Sequence, residues 1–438
     1  MSDGPRVVII GAGFGGLEAA KALASAPVEV LLIDQHNYHT FQPLLYQVAS
    51  AALTPEEISH AVRGILRRQR NVTFRLGKVV AIDKDARFVT LEDGTGIAYD
   101  YLVLAPGTIY HDFGVPGVRE HAFFLKSLSE AVNLRSHLLA QFEAASADPA
   151  LLEQGALTVV IAGGGPTGVE LAGALVELFS RVLTKDFKEL PVDRARVVLL
   201  ELAPALLGTY HPDSQAYTLK TLNQRGVEVR LNTTVTRVEA QRVHLGSEVI
   251  LTRTLIWAAG VRASPLAEAL GMPLTRGARV PVAADLSLPD YPELFVVGDM
   301  SASQDKAGKL HPQVAQLAIQ GGKHVAKQLR RRLRGQPGEA FRYRDLGSMA
   351  TIGRSAAVAE LPFGLRLKGL VAWLAWLFLH LLYLVGFRNR LTVLLSWAAE
   401  YLTYDRHTRL LAPMMPSPTE QQNRSGRLSA KASFMKSR

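Results

Sequence analysis

The most restrictive stretch of this chain is Val7-Val8-Ile9-Ile10-Gly11-Ala12-Gly13-Phe14-Gly15-Gly16. Four β-branched residues predict a buried strand, and the glycines that follow predict a tight turn into a helix. Gly11 permits the turn. Gly13 lets the backbone approach a pyrophosphate, Phe14 and Gly15 open the helix, and Gly16 lets the helix pack on the strand. The helix N-terminus offers unpaired N–H groups and partial positive charge to that anion. Eighteen residues past Gly16, at the end of Val30-Leu31-Leu32-Ile33, stands Asp34, placed to accept from the ribose hydroxyls of an adenine dinucleotide.

The pattern recurs. Leu157-Thr158-Val159-Val160-Ile161-Ala162-Gly163-Gly164-Gly165-Pro166-Thr167-Gly168 is a second strand, glycine turn and helix start, offset by 152 residues from Gly11 to Gly163. The strand ends Ala105-Pro106-Gly107 and Ala258-Ala259-Gly260 are offset by 153 from Gly107 to Gly260, so two units share one plan. In the second unit the strand Val197–Leu200 ends at Glu201. A carboxylate there pairs with a ribose 2′-OH and repels a 2′-phosphate, which favours NADH over NADPH. Glu201 lies 33 residues past Gly168, which requires a longer helix and loop over 180–195. The short strands of 73–98 carry Val80, placed among the cofactor-binding residues.

Beyond the second unit, Phe295-Val296-Val297-Gly298-Asp299 is a strand that returns to the first sheet. Gly298 allows a close ligand and Asp299 can accept from polyol hydroxyls. A helix from about Pro312 carries Gln316 and Gln320 four apart, hence on one face. That face reads either as an exposed polar stripe or as an amide pair aimed at a second substrate. The loop Asp34–Ala49 turns from polar to aromatic and reads equally as a packed connection or as a pocket wall.

The C-terminal part changes character. Gly369–Gly386 is apolar nearly all round, but its 18 residues fall short of the ~20 that span a bilayer. Basic residues flank it on both sides (Arg366 and Lys368; Arg388 and Arg390), against the positive-inside tendency. Helices lying in the bilayer interface are therefore expected, with Trp373, Trp376, Tyr383 and Trp397 as anchors, and a single span or a buried core helix stand as the alternatives. From residue 415 a polar tail with Arg424, Arg427, Lys431, Lys436 and Arg438 is expected to be disordered and to touch acidic headgroups. The N-terminus enters a strand within a few residues, leaving no signal peptide, so the chain is expected to begin in the cytoplasm.

With no cysteine, disulfide reduction, sulfide oxidation by a cysteine pair and cysteine-based peroxidase chemistry are excluded. The net charge of +10 suits an anionic partner. No aromatic–basic pattern for nucleic acid accompanies it, so no nucleic-acid partner is expected. Two dinucleotide sites point to two cofactors, one a flavin and the other a nicotinamide that reduces it. Without cysteine relays the acceptor must meet the flavin directly, and an apolar C-terminus points to a lipid-soluble quinone.

On these motifs the chain resembles the type II, non-proton-pumping NADH:quinone oxidoreductases from Val7 to about Leu411. The resemblance is carried by Gly11–Leu17, Phe41–Ala49, Gly163–Glu170, Val297–Asp299, Ala315–Gln320, Gly347–Arg354 and Gly386–Arg390. It implies an α/β fold of two Rossmann-like dinucleotide-binding domains with a C-terminal helical membrane-anchoring region. The expected divisions are 1–115 and 276–355 for the FAD domain, 116–275 for the NADH domain, 356–412 for membrane-associating helices and 413–438 for the tail. FAD is then held by the first unit with Asp34 and Asp299, and NADH by the second with Glu201. Glu170 resembles the family's carboxylate near nicotinamide and flavin, against a plain reading as a first-turn acid favoured by the helix dipole. Gln316 and Gln320 match the quinone-side motif. A homodimer on the cytoplasmic face of the inner membrane is implied, peripheral and monotopic. One departure is Asp345-Leu346-Gly347, where the family often has Asp-Lys-Gly. A ferredoxin- or rubredoxin-type NADH reductase and a membrane-bound flavin/NADH-binding regulator remain the alternatives.

Overall fold

In the computed structural model, residues 4–403, 406 and 408–411 are described. The basic tail residues from Arg424 to Arg438 lie outside them. The first unit runs β1 (Arg6–Ile10), α1 (Phe14–Ala22), β2 (Glu29–Asp34), α2 (Leu45–Ala49), β3 (Val72–Leu76) and β4 (Tyr101–Leu104). The second runs β5 (Thr158–Ala162), α3 (Pro166–Glu177), β6 (Arg196–Leu200), β7 (Val227–Arg230) and β8 (Thr254–Trp257). The chain then returns through β9 (Tyr291–Val296) and α4 (Ala315–Arg332). It ends in β10 (Ser348–Thr351), β11 (Ala357–Glu360), β12 (Arg366–Lys368), α5 (Gly369–Tyr383) and α6 (Phe387–Thr403).

Each unit forms a parallel sheet because its strands are apolar on both faces. The first sheet has the order β9-β4-β1-β2-β3, with Ser287–Leu288 added antiparallel at its β9 edge. The second has the order β8-β5-β6-β7, with Ala122–Phe123 beside β8. In both, the glycine turn leaves the sheet where the strand order reverses, which is where an open α/β sheet binds its ligand. An antiparallel ribbon joins the units: Thr108–Tyr110 pairs with Val261–Ala263. The helix expected from about Pro312 begins at Ala315, because residues 311–314 run extended before it.

The C-terminal helices are not apolar faces all round turned to lipid. The β10-β11-β12 sheet packs on α5 through Ala357, Ala359, Ala372 and Trp373. Asn389 then pins α6, its Nδ2 donating to the carbonyls of Glu56 (3.2 Å), Glu57 (3.1 Å) and Ser59 (2.9 Å). The expected anchoring role of the tryptophans is thereby corrected. Trp373, Trp376 and Trp397 are 8%, 1% and 3% exposed, and only Tyr383 of the four faces outward. The reason is steric and polar together. The large rings fill the gap between the helices and the core, and the Trp397 indole finds a buried acceptor. The outward face carries Leu370, Leu374, Phe378, Phe387, Leu395 and Leu402. No helix among the described residues is long and apolar enough to cross a membrane.

Candidate active site at the seam of the two units

The two glycine turns are built alike. Gly11 has φ +100° and a Cβ there would sit 2.3 Å from the Ala105 carbonyl oxygen. Gly163 has φ +115° and a Cβ would meet the Ala258 carbonyl at 2.8 Å. Gly16 and Gly168 close the helix onto the turn, with a Cβ landing 1.8 Å from Gly11 O and 1.9 Å from Gly163 O. Gly13 and Gly165 face open space instead. They are also the N-cap residues of α1 and α3 and carry no side-chain cap, so the first helical N–H groups stay available to an anion. Both cradles therefore fit the pyrophosphate of a dinucleotide.

The two acids also match. Asp34 Oδ2 accepts from the Ala12 N–H and Glu201 Oε2 from the Gly164 N–H, each at 2.6 Å. Glu201 Oε1 takes a second bond from Ala203 N at 2.7 Å. Each carboxylate is held against its own glycine turn with lone pairs left for a ribose. Phe14 sets its ring edge against His39 and Phe41, and Gly15 packs on Val297 and Ala318. Gly107 has φ +73° and open space beside it, whereas Gly260, at φ +70°, lies under the Phe113 ring. Pro166 is the first residue of α3 and Thr167 follows it, exposed. Val80 stands 44% exposed on the small antiparallel sheet of residues 79–98, away from both turns in sequence.

Gly298, at φ +69°, brings Asp299 to the open end of the first sheet, and the Thr108 hydroxyl donates to Asp299 Oδ2 at 3.3 Å. Behind it the Lys126 ammonium donates to Thr108 Oγ1 at 2.6 Å. Burial pulls the Lys126 ammonium below its ordinary value, and the Asp299 and Glu130 charges oppose that. Sequence reasoning passed over Lys126, because a single lysine between the short strand Ala122–Phe123 and the helix Leu128–Ala147 carries no local signal.

Between the units a cavity of about 120 Å³ is lined by Gln42, Leu45, Tyr46, Lys126, Thr167 and Glu170, among others. Glu170 is the fifth residue of α3, past the first turn in which the plain dipole reading would place it; its carboxyl is buried, and Thr351 N donates to its Oε1 at 3.4 Å. Burial raises this carboxyl to about 8, with the Thr351 amide and the Trp376 indole pulling the other way. The indole makes no hydrogen bond of good geometry, so its pull is weak and the group is held largely by burial. A first-turn acid placed only for the dipole would stay solvated and ionised.

The loop Phe41–Ala49 is a pocket wall, and it is also packed. Tyr46 and Gln47 are buried, with Gln47 Nε2 donating to Tyr46 Oη at 2.9 Å. The amides of Gln316 and Gln320 are both engaged by backbone. Gln316 donates to Gly347 O (3.0 Å) and accepts from Leu346 N (2.9 Å). Gln320 donates to Arg344 O (2.8 Å) and accepts from Arg344 N (2.9 Å). The pair thus does share a face, and that face clamps the 344–347 segment. Leu346, where the family often has lysine, is 41% exposed.

Fold and paired cradles define a two-dinucleotide flavoprotein, and residues 5–322 match the pyridine nucleotide-disulphide oxidoreductase family. Residues 346–407 match the NDH2 C-terminal domain. The chain is 42% identical to the type II NADH:quinone oxidoreductase NdhA of Mycobacterium tuberculosis over 91% of this chain and 87% of that protein. It is 30% identical to the type II NADH:quinone oxidoreductase of Staphylococcus aureus over 84% of this chain and 92% of that one. The fold superposes on NDH2 of Plasmodium falciparum with TM-score 0.84 at 18% identity, covering 93% of this chain and all of that one. A ferredoxin reductase of Rhodopseudomonas palustris superposes less well, with TM-score 0.64 at 20% identity over 82% of this chain and 83% of that one. The chain belongs to the type II NADH:quinone oxidoreductases. It is an FAD-dependent enzyme that binds FAD and NADH and transfers electrons from NADH to quinone, and the ferredoxin-reductase and regulator readings give way.

Proposed function

We propose that Glu170, Gln316 and Gln320 serve the quinone side of this reaction, and that the enzyme works as a monotopic protein at the cytoplasmic face of the inner membrane. When bound, FAD would supply the hydride-accepting and electron-passing chemistry between NADH and quinone. Around it this chain's residues bind and orient. The first cradle with Asp34 and Asp299 holds the resident dinucleotide, and the second with Glu201 takes NADH. Lys126 and Thr108 hold Asp299 in place. Glu170, kept protonated near neutral pH by burial, has a proton to give inside the seam cavity. Gln316 and Gln320 act by fixing the strap 344–347, which leads into β10 and so to the Thr351 amide on Glu170, rather than through free amides.

The carrying observation is that one pair of helices has two faces. The inner face of α5 and α6 puts Trp376 and Trp397 against the site wall, while the outer face presents leucines and phenylalanines to solvent. Exposed Arg366, Lys368, Arg388 and Arg390 flank that outer face, where acidic headgroups would meet it. A quinone dissolved in lipid therefore arrives at the helices that wall the site. A homodimer is the proposed assembly, checked by sedimentation in detergent.

Vesicle flotation with Leu374→Glu plus Phe378→Glu tests this reading. Bleaching of the flavin band by NADH is expected to persist. Binding to anionic vesicles and reduction of a long-chain quinone are expected to fall at least about tenfold, since each buried leucine or phenylalanine side chain contributes about 1.5–3 kcal/mol. Unchanged flotation would remove the membrane-face assignment.

A further inference from the structure

Behind the seam cavity lies a second, smaller one of about 30 Å³, room for one or two waters. Its wall is polar: Tyr46, Thr351, Glu177, Glu400 and Arg406 line it, with Trp376. Tyr46 also lines the front cavity beside Glu170, so it stands between the two.

The hydrogen bonds around Tyr46 have a fixed direction. The Trp397 indole is only a donor, and it donates to Gln47 Oε1 at 2.8 Å. That orients the amide so that its Nε2 donates to Tyr46 Oη. The tyrosine's own proton is thereby turned away from Gln47, toward Thr351 Oγ1 at 3.0 Å or into the rear cavity. Thr351 is the residue whose backbone N–H meets Glu170. At the far wall Arg406 Nε donates to Glu400 Oε1 at 2.7 Å, and its Nη2 lies 3.7 Å from Glu177 Oε2. Glu177 and Glu400 keep 23% and 13% of their side chains exposed, so the wall opens to bulk water.

We propose that Tyr46, with Thr351 and water in the rear cavity, forms a proton path from the Glu400–Glu177 edge to Glu170. It rests on the reading of Glu170 as the proton donor of the site. The balance requires such a path. NADH delivers a hydride, which is two electrons and one proton, while the quinol formed carries two protons. The second proton comes from water, and Glu170 must regain it each turnover. With the seam cavity filled, the front approach to Glu170 is closed to bulk water, and the rear is left. In each transfer Tyr46 Oη gives its proton to Thr351 Oγ1, whose own hydroxyl proton passes on to the Glu170 carboxylate, and Tyr46 takes a replacement from a rear-cavity water, so that neither hydroxyl is left ionised. Burial and the nearby Glu170 charge hold its phenol far above the ordinary range, consistent with that. The other groups facing Glu170 are Lys126 across the front cavity, Tyr210, and Trp376 from α5.

The test uses the full-length holoenzyme in detergent, with Tyr46→Phe and, as an independent probe of the far end, Glu400→Gln. Flavin bleaching by NADH in stopped flow is expected to stay within twofold of the parent. Reoxidation by a short-chain quinone is expected to slow at least tenfold, with a larger solvent deuterium effect. Added imidazole or formate should restore much of the rate in Tyr46→Phe. The infrared carboxyl band of Glu170 should recover more slowly after a pH jump. Parent-like reoxidation and isotope effect in both variants would overturn the path. So would slowing of both half-reactions without rescue, which marks a packing role for Tyr46. If Glu170→Gln alone leaves reoxidation unchanged, the underlying reading of Glu170 fails instead.

Discussion

The two dinucleotide units share a cradle and differ in their lids. In each, the acid at the end of the second strand binds the turn amide at 2.6 Å, and the closing glycine contacts differ by only 0.1 Å, 1.8 against 1.9 Å. Over the first cradle, however, the returning chain adds β9, Asp299 and α4. There α4 crosses α1 so closely that a Cβ on Gly322 would lie 2.2 Å from Gly15 O. Among the described residues the second cradle has no such returning strand, and its helix α3 is covered instead by the strand end at Ile352, met by a Cβ on Gly173 at 2.7 Å. The same fingerprint is thus covered by returning chain in one unit and not in the other, which fits the proposed assignment of FAD to the first and NADH to the second. Glu170 belongs to the open unit but faces the seam.

The sharpest way to break this comparison is a matched pair. Gly11→Ala and Gly163→Ala each place a Cβ against backbone at positive φ, a strain of at least about 1–3 kcal/mol before the clash. The first should purify without its yellow colour. The second should keep the colour and lose NADH affinity at least ~100-fold by titration of flavin bleaching. Equal FAD loss in both would erase the distinction.

Next in size is Glu170→Gln, with quinone-side reoxidation expected to fall about 10–100-fold, in the range general acid catalysis supplies. In the parent that rate should decline as pH rises through about 8, because the protonated form is lost there, and the variant should show no such limb. The sign for stability is the same. A carboxyl raised from 4.5 to about 8 in the folded state favours folding less and less as pH rises between those values. The glutamine variant should therefore gain in Tm relative to the parent at pH 9 and little at pH 4.

A lid-specific change comes third. Gly322→Ala should loosen α4 from α1, so that FAD exchanges with added flavin during dialysis while NADH affinity stays within about threefold, a difference near 0.65 kcal/mol. The smallest effect is expected at Glu201→Gln, which removes the charge that repels a 2′-phosphate. The preference for NADH over NADPH should shrink about tenfold, or roughly 1.4 kcal/mol, measured as the ratio of kcat/KM values.

Much of the site was legible before any coordinates. The placement of Asp34 and Glu201 against their glycine turns follows from strand–turn–helix spacing, and that of Asp299 from a strand ending in Gly-Asp, because each is set within a few residues of backbone. The loop Phe41–Ala49 was legible only as a choice between packing and function, and it does both. Lys126 and Thr351 had no local pattern to betray them. The tryptophans of the C-terminal helices were misread because an apolar helix looks the same in sequence whether a ring faces lipid or core.

Local rules, then, determined what each short stretch would become: buried strands, two glycine turns, one acid per cradle, no cysteine chemistry and helices too short to cross a bilayer. Tertiary structure alone decided which cradle is lidded, that Glu170 is dry, and that Trp376 and Trp397 turn inward while leucines turn out. Backbone chemistry is encoded over a few neighbouring residues. Burial and hydrogen-bond partnership, such as Tyr46 with Thr351 across more than three hundred residues, exist only once distant segments meet.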